Sequence, residues 1–177
     1  FLALTNEIIR QGLFDRDFLR QYSNAPELVN MDEKSSEHGM FVRFDMPHDE
    51  GCFDPQNKLW WDRNQNKAVE NYTADADPYF LGEYQLDDGT PVKPSFQLLV
   101  DRVKDYTAEW AAGITGIPAD TIVRLAHEMG ITARDEKIEL PIPWTDVWGR
   151  EHETVTGNPV AFHAMRGLAA HSNGFQT

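Results

Sequence analysis

The apolar run at residues 159–165 (PVAFHAM) constrains the fold of this chain more than any other feature. The run is short, helical patterning precedes it, and a polar loop with two glycines follows it at once. This order is typical of a buried parallel strand in an α/β sheet, where ligands bind beyond the carboxyl ends of the strands. We therefore predict an α/β fold with a Rossmann-like helix–strand–loop portion.

The loop after this run carries the most informative group of polar residues in the chain. Gly167 and Gly174 permit close approach of a ligand to the backbone. Arg166 can bind a phosphate or pyrophosphate through two hydrogen bonds, and His171 and Asn173 can donate further hydrogen bonds. We predict that this loop binds a cofactor, and an ordinary strand-to-helix turn is the alternative.

The sequence divides into three regions. Residues 1–30 are predicted to form two helices, the first stopped by Gly12 and the second capped by Asp15. Residues 31–94 are predicted to be an irregular, partly β insertion, with hairpins turning at 63–66 and 87–89. Prolines interrupt every apolar run of this region, which argues against a central sheet.

The third region, residues 95–177, is predicted to hold helices, the strand and the cofactor-facing loop of an α/β domain. Ser95, Thr107 and Pro118 are placed to start three helices. The third helix is predicted to bury Leu125 on its apolar face and to end at Gly130, before an irregular stretch at 131–157. Both ends of the chain look cut, as in an excised part of a larger protein.

Charge and cysteine content exclude several classes of function. Sixteen Lys and Arg against 29 Asp and Glu give a net charge of −13, which argues against nucleic-acid binding. No apolar run approaches the roughly 20 residues that span a bilayer, so we expect no direct membrane insertion. The single cysteine, Cys52, rules out an internal disulfide or a cysteine cluster within the chain and is predicted to be inert.

The remaining candidate groups favour structural interpretations. The His-Glu pairs at 127–128 and 152–153 lack a second His four residues later, so we predict no zinc site. The acidic stretch at 45–54 matches no calcium-loop spacing and is predicted to be solvated, like the aspartates at 75, 77, 87 and 88. The tryptophans at 60, 61, 110, 144 and 148 are predicted to anchor the core and interfaces. We predict no catalytic and no metal-ligating residue.

Three stretches together resemble the catalytic subunit of molybdopterin oxidoreductases of the dimethyl sulfoxide reductase family. Residues 12–18 (GLFDRDF) are similar to that family's Gly-Leu-Tyr/Phe-Asp-x-x-Phe turn after a helix. Residues 106–126, including AEWA, TGIP and RLA, are similar to its Pro-Glu-Trp-Ala, Thr-Gly-Ile-Pro and Leu-Ala segment, with Ala108 in place of the usual Pro. Residues 161–174 are similar to the segment that meets the pyranopterin. Within this family, the sequence at 87–97 and 163–167 most resembles sulfite dehydrogenases, followed by thiosulfate, polysulfide and tetrathionate reductases.

The resemblance implies that the parent protein is a molybdenum enzyme of sulfur metabolism. It would transfer an oxygen atom and two electrons to or from a small sulfur oxyanion, using molybdopterin guanine dinucleotide with molybdenum and a [4Fe–4S] cluster. Its partners would be an iron–sulfur protein for electron transfer and a membrane-anchor protein, in the bacterial cytoplasm or periplasm. The resemblance implies one functional role within this chain, which is cofactor binding. The residues that would have this role are Arg166, Gly167, His171, Asn173 and Gly174. This chain alone would be inactive and hold no cofactor.

Two other functions remain open at this stage. An unrelated α/β hydrolase-type enzyme fits the predicted fold class, although the chain has no Gly-x-Ser-x-Gly elbow. A non-catalytic docking domain is the other alternative, with the acidic, tryptophan-bearing insertion facing a partner protein.

Overall fold

The computed structural model describes residues 1–44 and 57–161, which form a mixed α/β structure. The helices are α1 (Leu2–Arg10), α2 (Arg16–Tyr22), α3 (Ser95–Val103), α4 (Ala108–Thr115) and α5 (Ala119–Asp135). The strands are β1 (Leu28–Asn30), β2 (Leu59–Asp62), β3 (Lys67–Glu70), β4 (Tyr84–Gln85), β5 (Pro91–Pro94), β6 (Ile138–Leu140), β7 (Trp144–Thr145), β8 (Glu151–His152) and β9 (Val155–Gly157). The α/β class predicted from the sequence is confirmed. Within the described residues, no helix is long and apolar enough to span a bilayer.

The first two helices form as their sequence predicts. Gly12, at a φ of +65°, and Leu13 donate hydrogen bonds back to the carbonyls of Ile9 and Ile8, which ends α1 in a left-handed glycine cap. The Asp15 carboxylate accepts the backbone N–H of Phe18 and starts α2. After α2 the chain becomes extended and adds β1 (Leu28–Asn30), a strand that the prediction of two helices for residues 1–30 did not include.

A three-stranded antiparallel sheet has the order β1-β5-β4, with β5 in the centre. Pro91 and Pro94 lie at the two ends of β5, where a missing N–H disturbs the ladder least. The predicted turn at 87–89 connects β4 to β5, with Gly89 at a φ of +87°. The second predicted hairpin is formed by β2 and β3, which pair antiparallel from Leu59↔Glu70 to Asp62↔Lys67.

Helices α1, α4 and α5 pack together around small side chains. Ala3, Ala108, Ala111 and Ile122 form one buried cluster, and Ala25, Phe80 and Phe96 form a second beneath α3. The Thr107 hydroxyl accepts the Trp110 backbone N–H and caps α4, as predicted. Ser95 does not cap α3: its hydroxyl donates to the Asn24 carbonyl and ties the helix to the chain before β1.

Helix α5 departs from its prediction in two respects. Ile122 and Ala126 are buried on its inner face, whereas Leu125 is exposed, so the placement of Leu125 in the core was wrong. The helix also continues through Gly130 to Asp135. Gly130 is buried, and a Cβ there would lie 2.8 Å from the Leu13 Cβ, so its glycine permits close packing and does not end the helix.

Residues 138–157 form an arm of four short strands that was predicted to be irregular. Strand β6 pairs with β9 and β7 pairs with β8, both antiparallel, and every residue of β6 and β7 is exposed. At the base of the arm, the Lys137 ammonium donates to the Asn158 side-chain oxygen at 2.7 Å. Pro159, Val160 and Ala161, which begin the predicted buried strand, are in no strand. The rest of that strand lies outside the described residues.

Candidate functional site

The predicted cofactor-binding loop lies outside the described residues. Arg166, Gly167, His171, Asn173 and Gly174 therefore keep the roles predicted for them, with no geometry attached. The structure does describe the chain leading to this loop as far as Ala161. It also describes two concave regions, an apolar groove beside that approach and a polar cleft at the β2–β3 hairpin.

The apolar groove lies between α1, the turn after it and the second half of α5. It has a volume of about 540 Å³, and its lining includes Phe1, Leu4, Ile8, Leu13, Met129 and Val160. Phe1, Leu4 and Ile8 share one face of α1 through the spacing of a helix, and the close packing of Gly130 against Leu13 forms the floor. The face predicted for α1 thus exists, and it lines an open groove.

Charged and polar groups, including Arg134 and Asn158, also line this groove. Arg134 donates to the Gly12 carbonyl at 3.0 Å and pairs with the neighbouring Asp135 carboxylate at 2.7 Å. The hydrogen bonds that Arg134 donates to the Asp135 carboxylate raise the pKa of the Arg134 guanidinium. The Asn158 amide donates to the Ala133 carbonyl and holds the returning chain against α5. Most of the described lining residues are apolar, so the groove is suited to receive apolar side chains.

The polar cleft has a volume of about 510 Å³ and is lined by Arg20, Trp60, Tyr72, Thr73, Asp75 and Asp77, among others. The Trp60 side chain is buried and meets Tyr72 edge to face, with ring centroids 5.0 Å apart. The Asp77 carboxylate pairs with Arg16 at 2.8 Å and with Arg63 at 3.4 Å. Asp77 is therefore held in ion pairs with two arginines, while its side chain stays 42% exposed to solvent.

Asp62 is a fully buried carboxylate that the sequence analysis did not identify. Its oxygens accept the backbone N–H groups of Gln65 at 3.0 Å and of Asp77 at 2.9 Å. Burial raises the pKa of Asp62, but the backbone hydrogen bonds favour the charged form more strongly, and the net pKa lies below its ordinary value. The signal was present in the sequence, because an aspartate directly before a polar hairpin turn commonly bonds to the turn's amides.

A buried ion pair joins this hairpin to the sheet. The Lys58 ammonium lies 3.6 Å from the Glu27 carboxylate, and both side chains are almost fully buried. Lys58 directly precedes β2, whereas Glu27 directly precedes β1, so the pair connects segments far apart in sequence. No local pattern predicts such a pair, because its two members are brought together by the fold.

The histidines and Glu128 of the two His-Glu pairs contact nearby side chains. His127 contacts the Gln11 side-chain oxygen at 2.9 Å, and Glu128 pairs with Arg124 one turn earlier on α5. His152 stacks on the Trp144 ring, with centroids 4.6 Å apart, and approaches Asp146 at 3.3 Å. In the described part of the chain, no three His, Cys, Asp or Glu side chains are grouped so that they could hold a metal ion.

The remaining acidic candidates divide between local turns and undescribed residues. The Asp88 carboxylate accepts the Thr90 backbone N–H at 2.9 Å, which lowers its pKa and supports the turn between β4 and β5. The acidic stretch at 45–54, together with Cys52, lies outside the described residues.

The sequence is similar to parts of three larger redox enzymes. The chain is 67% identical to a sulfite dehydrogenase subunit of Allochromatium vinosum over 99% of its own residues. It is 30% identical over 72% of its residues to the alpha subunit of perchlorate reductase from Dechloromonas aromatica. It is 36% identical over 37% of its residues to the molybdopterin-containing subunit of an arsenate respiratory reductase from a Shewanella species. No family model matches the chain.

The chain spans only part of these relatives: 18% of the length of the sulfite dehydrogenase relative, 17% of the perchlorate reductase relative and 7% of the arsenate reductase relative. The similarity confirms the resemblance to molybdopterin oxidoreductases that the sequence motifs indicated. It also covers residues 1–177 almost completely, the undescribed loop included.

Proposed function

We propose that this chain is an internal segment of the catalytic subunit of a molybdopterin oxidoreductase that acts on a small sulfur oxyanion. The observation that carries the proposal is the 67% identity to the sulfite dehydrogenase relative across nearly every residue. Sulfite is the substrate that this relative's name supports. The proposed net reaction converts sulfite and water to sulfate, two protons and two electrons.

The proposed cofactor is molybdenum held by molybdopterin guanine dinucleotide, with a [4Fe–4S] cluster in the same polypeptide. A relative described as molybdopterin-containing supports the pterin. The bound group would supply the oxygen-atom and two-electron chemistry, and the protein would supply binding, orientation and electrostatics. We propose, from the family resemblance, that the protein ligand to molybdenum lies outside this chain.

The proposal assigns one role to this chain, which is to contact the pterin through the loop at 166–174. Arg166 would pair with a phosphate or with the anionic substrate, because a guanidinium binds such oxygens through two parallel hydrogen bonds. Gly167 and Gly174 would let the backbone approach the cofactor closely. His171 and Asn173 would donate hydrogen bonds to it, without ligating the metal.

The proposed partners follow from the two-electron stoichiometry and from the name of the sulfite dehydrogenase relative, which describes one member of a multi-subunit enzyme. An iron–sulfur subunit would receive the electrons, and a membrane-anchor subunit would hold the complex at a bacterial membrane. Neither partner would need a membrane-spanning segment in this chain.

The proposal is tested in the longer protein that contains this segment. Arg166→Ala should lower sulfite oxidation with an artificial electron acceptor by about ten- to a hundredfold, because a charge-assisted hydrogen bond worth about 1.5–3 kcal/mol is lost. Arg124→Ala is the matched control, since Arg124 forms an exposed pair on α5 and should leave turnover unchanged. Thermal stability and molybdenum content are measured on both variants.

Two results would reject parts of the proposal. Wild-type turnover and full cofactor content in Arg166→Ala would show that the loop is a plain turn. A protein that contains molybdenum but turns over perchlorate or arsenate, and not sulfite, would move the substrate to the class named by the more distant relatives.

A further inference from the structure

The geometry points to a binding site for a small oxyanion, such as sulfate or phosphate, in the polar cleft between α2 and the β2–β3 hairpin. Arg20 on α2 would bind the anion through its guanidinium, and the indole N–H of Trp60 on β2 would donate a second hydrogen bond. Both side chains line the cleft, which has a volume of about 510 Å³. Binding at this site would not depend on the proposed catalytic function.

Arg20 is a partly buried cation for which the described residues supply no counter-ion. Within those residues, every other arginine has a hydrogen bond, an ion pair or an aromatic ring as its partner. These paired arginines are Arg10, Arg16, Arg43, Arg63, Arg102, Arg124, Arg134 and Arg150. Removing a charge from water without a partner is unfavourable, so the Arg20 guanidinium is suited to bind an anion.

The Trp60 side chain supplies an unpaired donor in the wall of the same cleft. It is 3% exposed, and its Nε1 has no hydrogen-bond acceptor within the described residues. Native structures leave few buried N–H groups in this state, because the donor has lost water and gained nothing in return. Its neighbour Trp61 shows the usual arrangement, since its Nε1 donates to the Asn66 side-chain oxygen at 3.2 Å. The missing acceptor at Trp60 is therefore a second, independent indication of a ligand.

The Tyr72 ring is the group that would move to admit the anion. The Trp60 Nε1 is closed to solvent, and the Tyr72 ring packs edge to face against the indole at 5.0 Å. Tyr72 is 50% exposed and has a φ of +59°, a left-handed conformation that is unfavourable for a bulky residue. Asp75, on the same loop, has a φ of +64°. Backbone strain of this kind is found at ligand clamps, and a half-exposed ring on such a loop can turn aside.

The charges around the cleft favour an anion over a cation. The Asp77 carboxylate is already paired with Arg16 and with Arg63. The lining residues and their ion-pair partners thus carry three arginines against two aspartates, Asp75 and Asp77. This region is net positive in a chain whose net charge is −13. A small anion would therefore find here a local positive potential that the chain as a whole does not offer.

The test follows the indole N–H signals of the five tryptophans by two-dimensional NMR while sodium sulfate is added to the nitrogen-15-labelled 177-residue chain. The Trp60 signal is assigned by its absence in Trp60→Phe or by its nuclear Overhauser contacts with the Tyr72 ring. We expect the Trp60 indole proton to move to lower field and to saturate, because it forms a hydrogen bond to a charged acceptor. Sodium chloride at equal ionic strength is the control and should leave this signal in place.

Matched variants separate a built site from general attraction between charges. Arg20→Ala should weaken sulfate binding, measured by isothermal titration calorimetry, by more than about tenfold, because a charge-assisted hydrogen bond is lost. Arg124→Ala removes the same charge from an exposed pair on α5 and should change the affinity by less than about twofold. Trp60→Phe keeps a ring in the wall without the N–H and should weaken binding by about tenfold.

A third variant tests the cover. Tyr72→Gly keeps the left-handed backbone without strain and removes the ring, so sulfate should bind more tightly than to the wild type. Unchanged or weaker binding would reject Tyr72 as the cover.

Two results would overturn the site itself. One is a Trp60 signal that does not respond to sulfate, or that responds equally to chloride. The other is equal weakening in Arg20→Ala and Arg124→Ala, which would show attraction to the net charge alone. The wild-type titration needs no variant to fold, and far-UV circular dichroism verifies the helices of each variant. Turnover is not measured, so either proposal can fail while the other holds.

Discussion

The β2–β3 hairpin and the arm at 138–157 use the same local construction in opposite environments. Both are antiparallel, both carry tryptophan on a strand, and both have an aspartate that accepts backbone N–H groups of the turn. In the hairpin Trp60 is 3% exposed, whereas in the arm the strand residue Trp144 is 45% exposed and the turn residue Trp148 is 77% exposed. Local sequence therefore explains why both regions form antiparallel strands. Contacts with the rest of the chain determine which of their side chains are buried.

The neighbours differ in an identifiable way. Strand β2 is joined to the segment before β1 through the isolated bridge from Glu27 to Trp60 and through the Lys58–Glu27 ion pair. The hydrogen bonds that Trp144 and His152 make are directed to Thr154 and Asp146, within the arm itself. The hairpin should therefore unfold with the core, and the arm should unfold locally.

The largest contrast is expected between two tryptophan truncations. Trp60→Ala removes a large buried ring and should lower the free energy of unfolding by about 3–5 kcal/mol. Trp148→Ala changes an exposed side chain of the arm and should stay within about 0.5 kcal/mol. Urea denaturation followed by circular dichroism measures both. Equal losses would mean that the arm is packed against the core in solution.

A second contrast compares two lysines. Lys58→Met removes the buried cation beside Glu27 and should cost about 3 kcal/mol, the low end for breaking a buried pair. Lys137→Met removes an exposed hydrogen bond at the base of the arm and should change stability by less than about 1 kcal/mol. The double variant Lys58→Met/Glu27→Gln tests the mechanism, since it should recover part of the loss. No recovery would show that lost packing, and not charge, is the cause.

The third contrast concerns pH and Asp62. Its pKa is lower in the folded chain than the ordinary value of about 4, so its charged form stabilises the fold above that pH, and this stabilisation is lost as pH falls through the folded pKa. Asp62→Asn should cost about 1–3 kcal/mol at neutral pH, because a buried acceptor of backbone N–H groups is weakened. The difference from wild type should shrink in urea titrations taken down to about pH 3. A stability difference that does not change with pH would show that altered packing, and not the charge of Asp62, causes the loss.

The smallest effect is expected for the equivalent aspartate of the arm. Hydrogen bonds from the backbone N–H groups of Arg150 and Trp148, together with one from the His152 ring, lower the pKa of Asp146. Asp146→Ala should leave the global unfolding transition in place and accelerate amide hydrogen exchange only at Trp148 and Arg150. Faster exchange in the β2–β3 hairpin as well would show that the two regions are coupled.

Much of the local structure could be predicted from the sequence. The glycine after α1, the caps Asp15 and Thr107, and the hairpin turn at Gly89 follow from short-range chemistry and are present. The α/β class is confirmed as well, although it was predicted from a parallel strand at 159–165 and the described strands pair antiparallel. The resemblance to molybdopterin oxidoreductases rested on short sequence motifs, and it agrees with the relatives found.

The errors concern long-range packing. Its local sequence predicts that Gly130 ends the helix. In the structure, Leu13 occupies the space that a side chain at position 130 would need, so this glycine permits a contact between segments far apart in sequence. Leu125 has the spacing of a core residue, yet the inner face of α5 is selected by α1 and α4. Strand β1 was missed because its pairing partner β5 lies far along the chain. The predicted cofactor loop lies outside the described residues and remains a prediction.

The hydrogen bond between Lys137 and Asn158 affects how well the chain between them should tolerate changes in length. The polypeptide leaves the end of α5 and returns to nearly the same point, since Asn158 contacts both Lys137 and the Ala133 carbonyl. Residues 138–157 therefore form a loop whose two ends are held together. Doubling the length of such a loop adds only about 0.6 kcal/mol of closure entropy. Residues 138–157 are thus a permissive site where a shorter turn or a reporter peptide should be accepted, with the helix before it and the chain after it left in register.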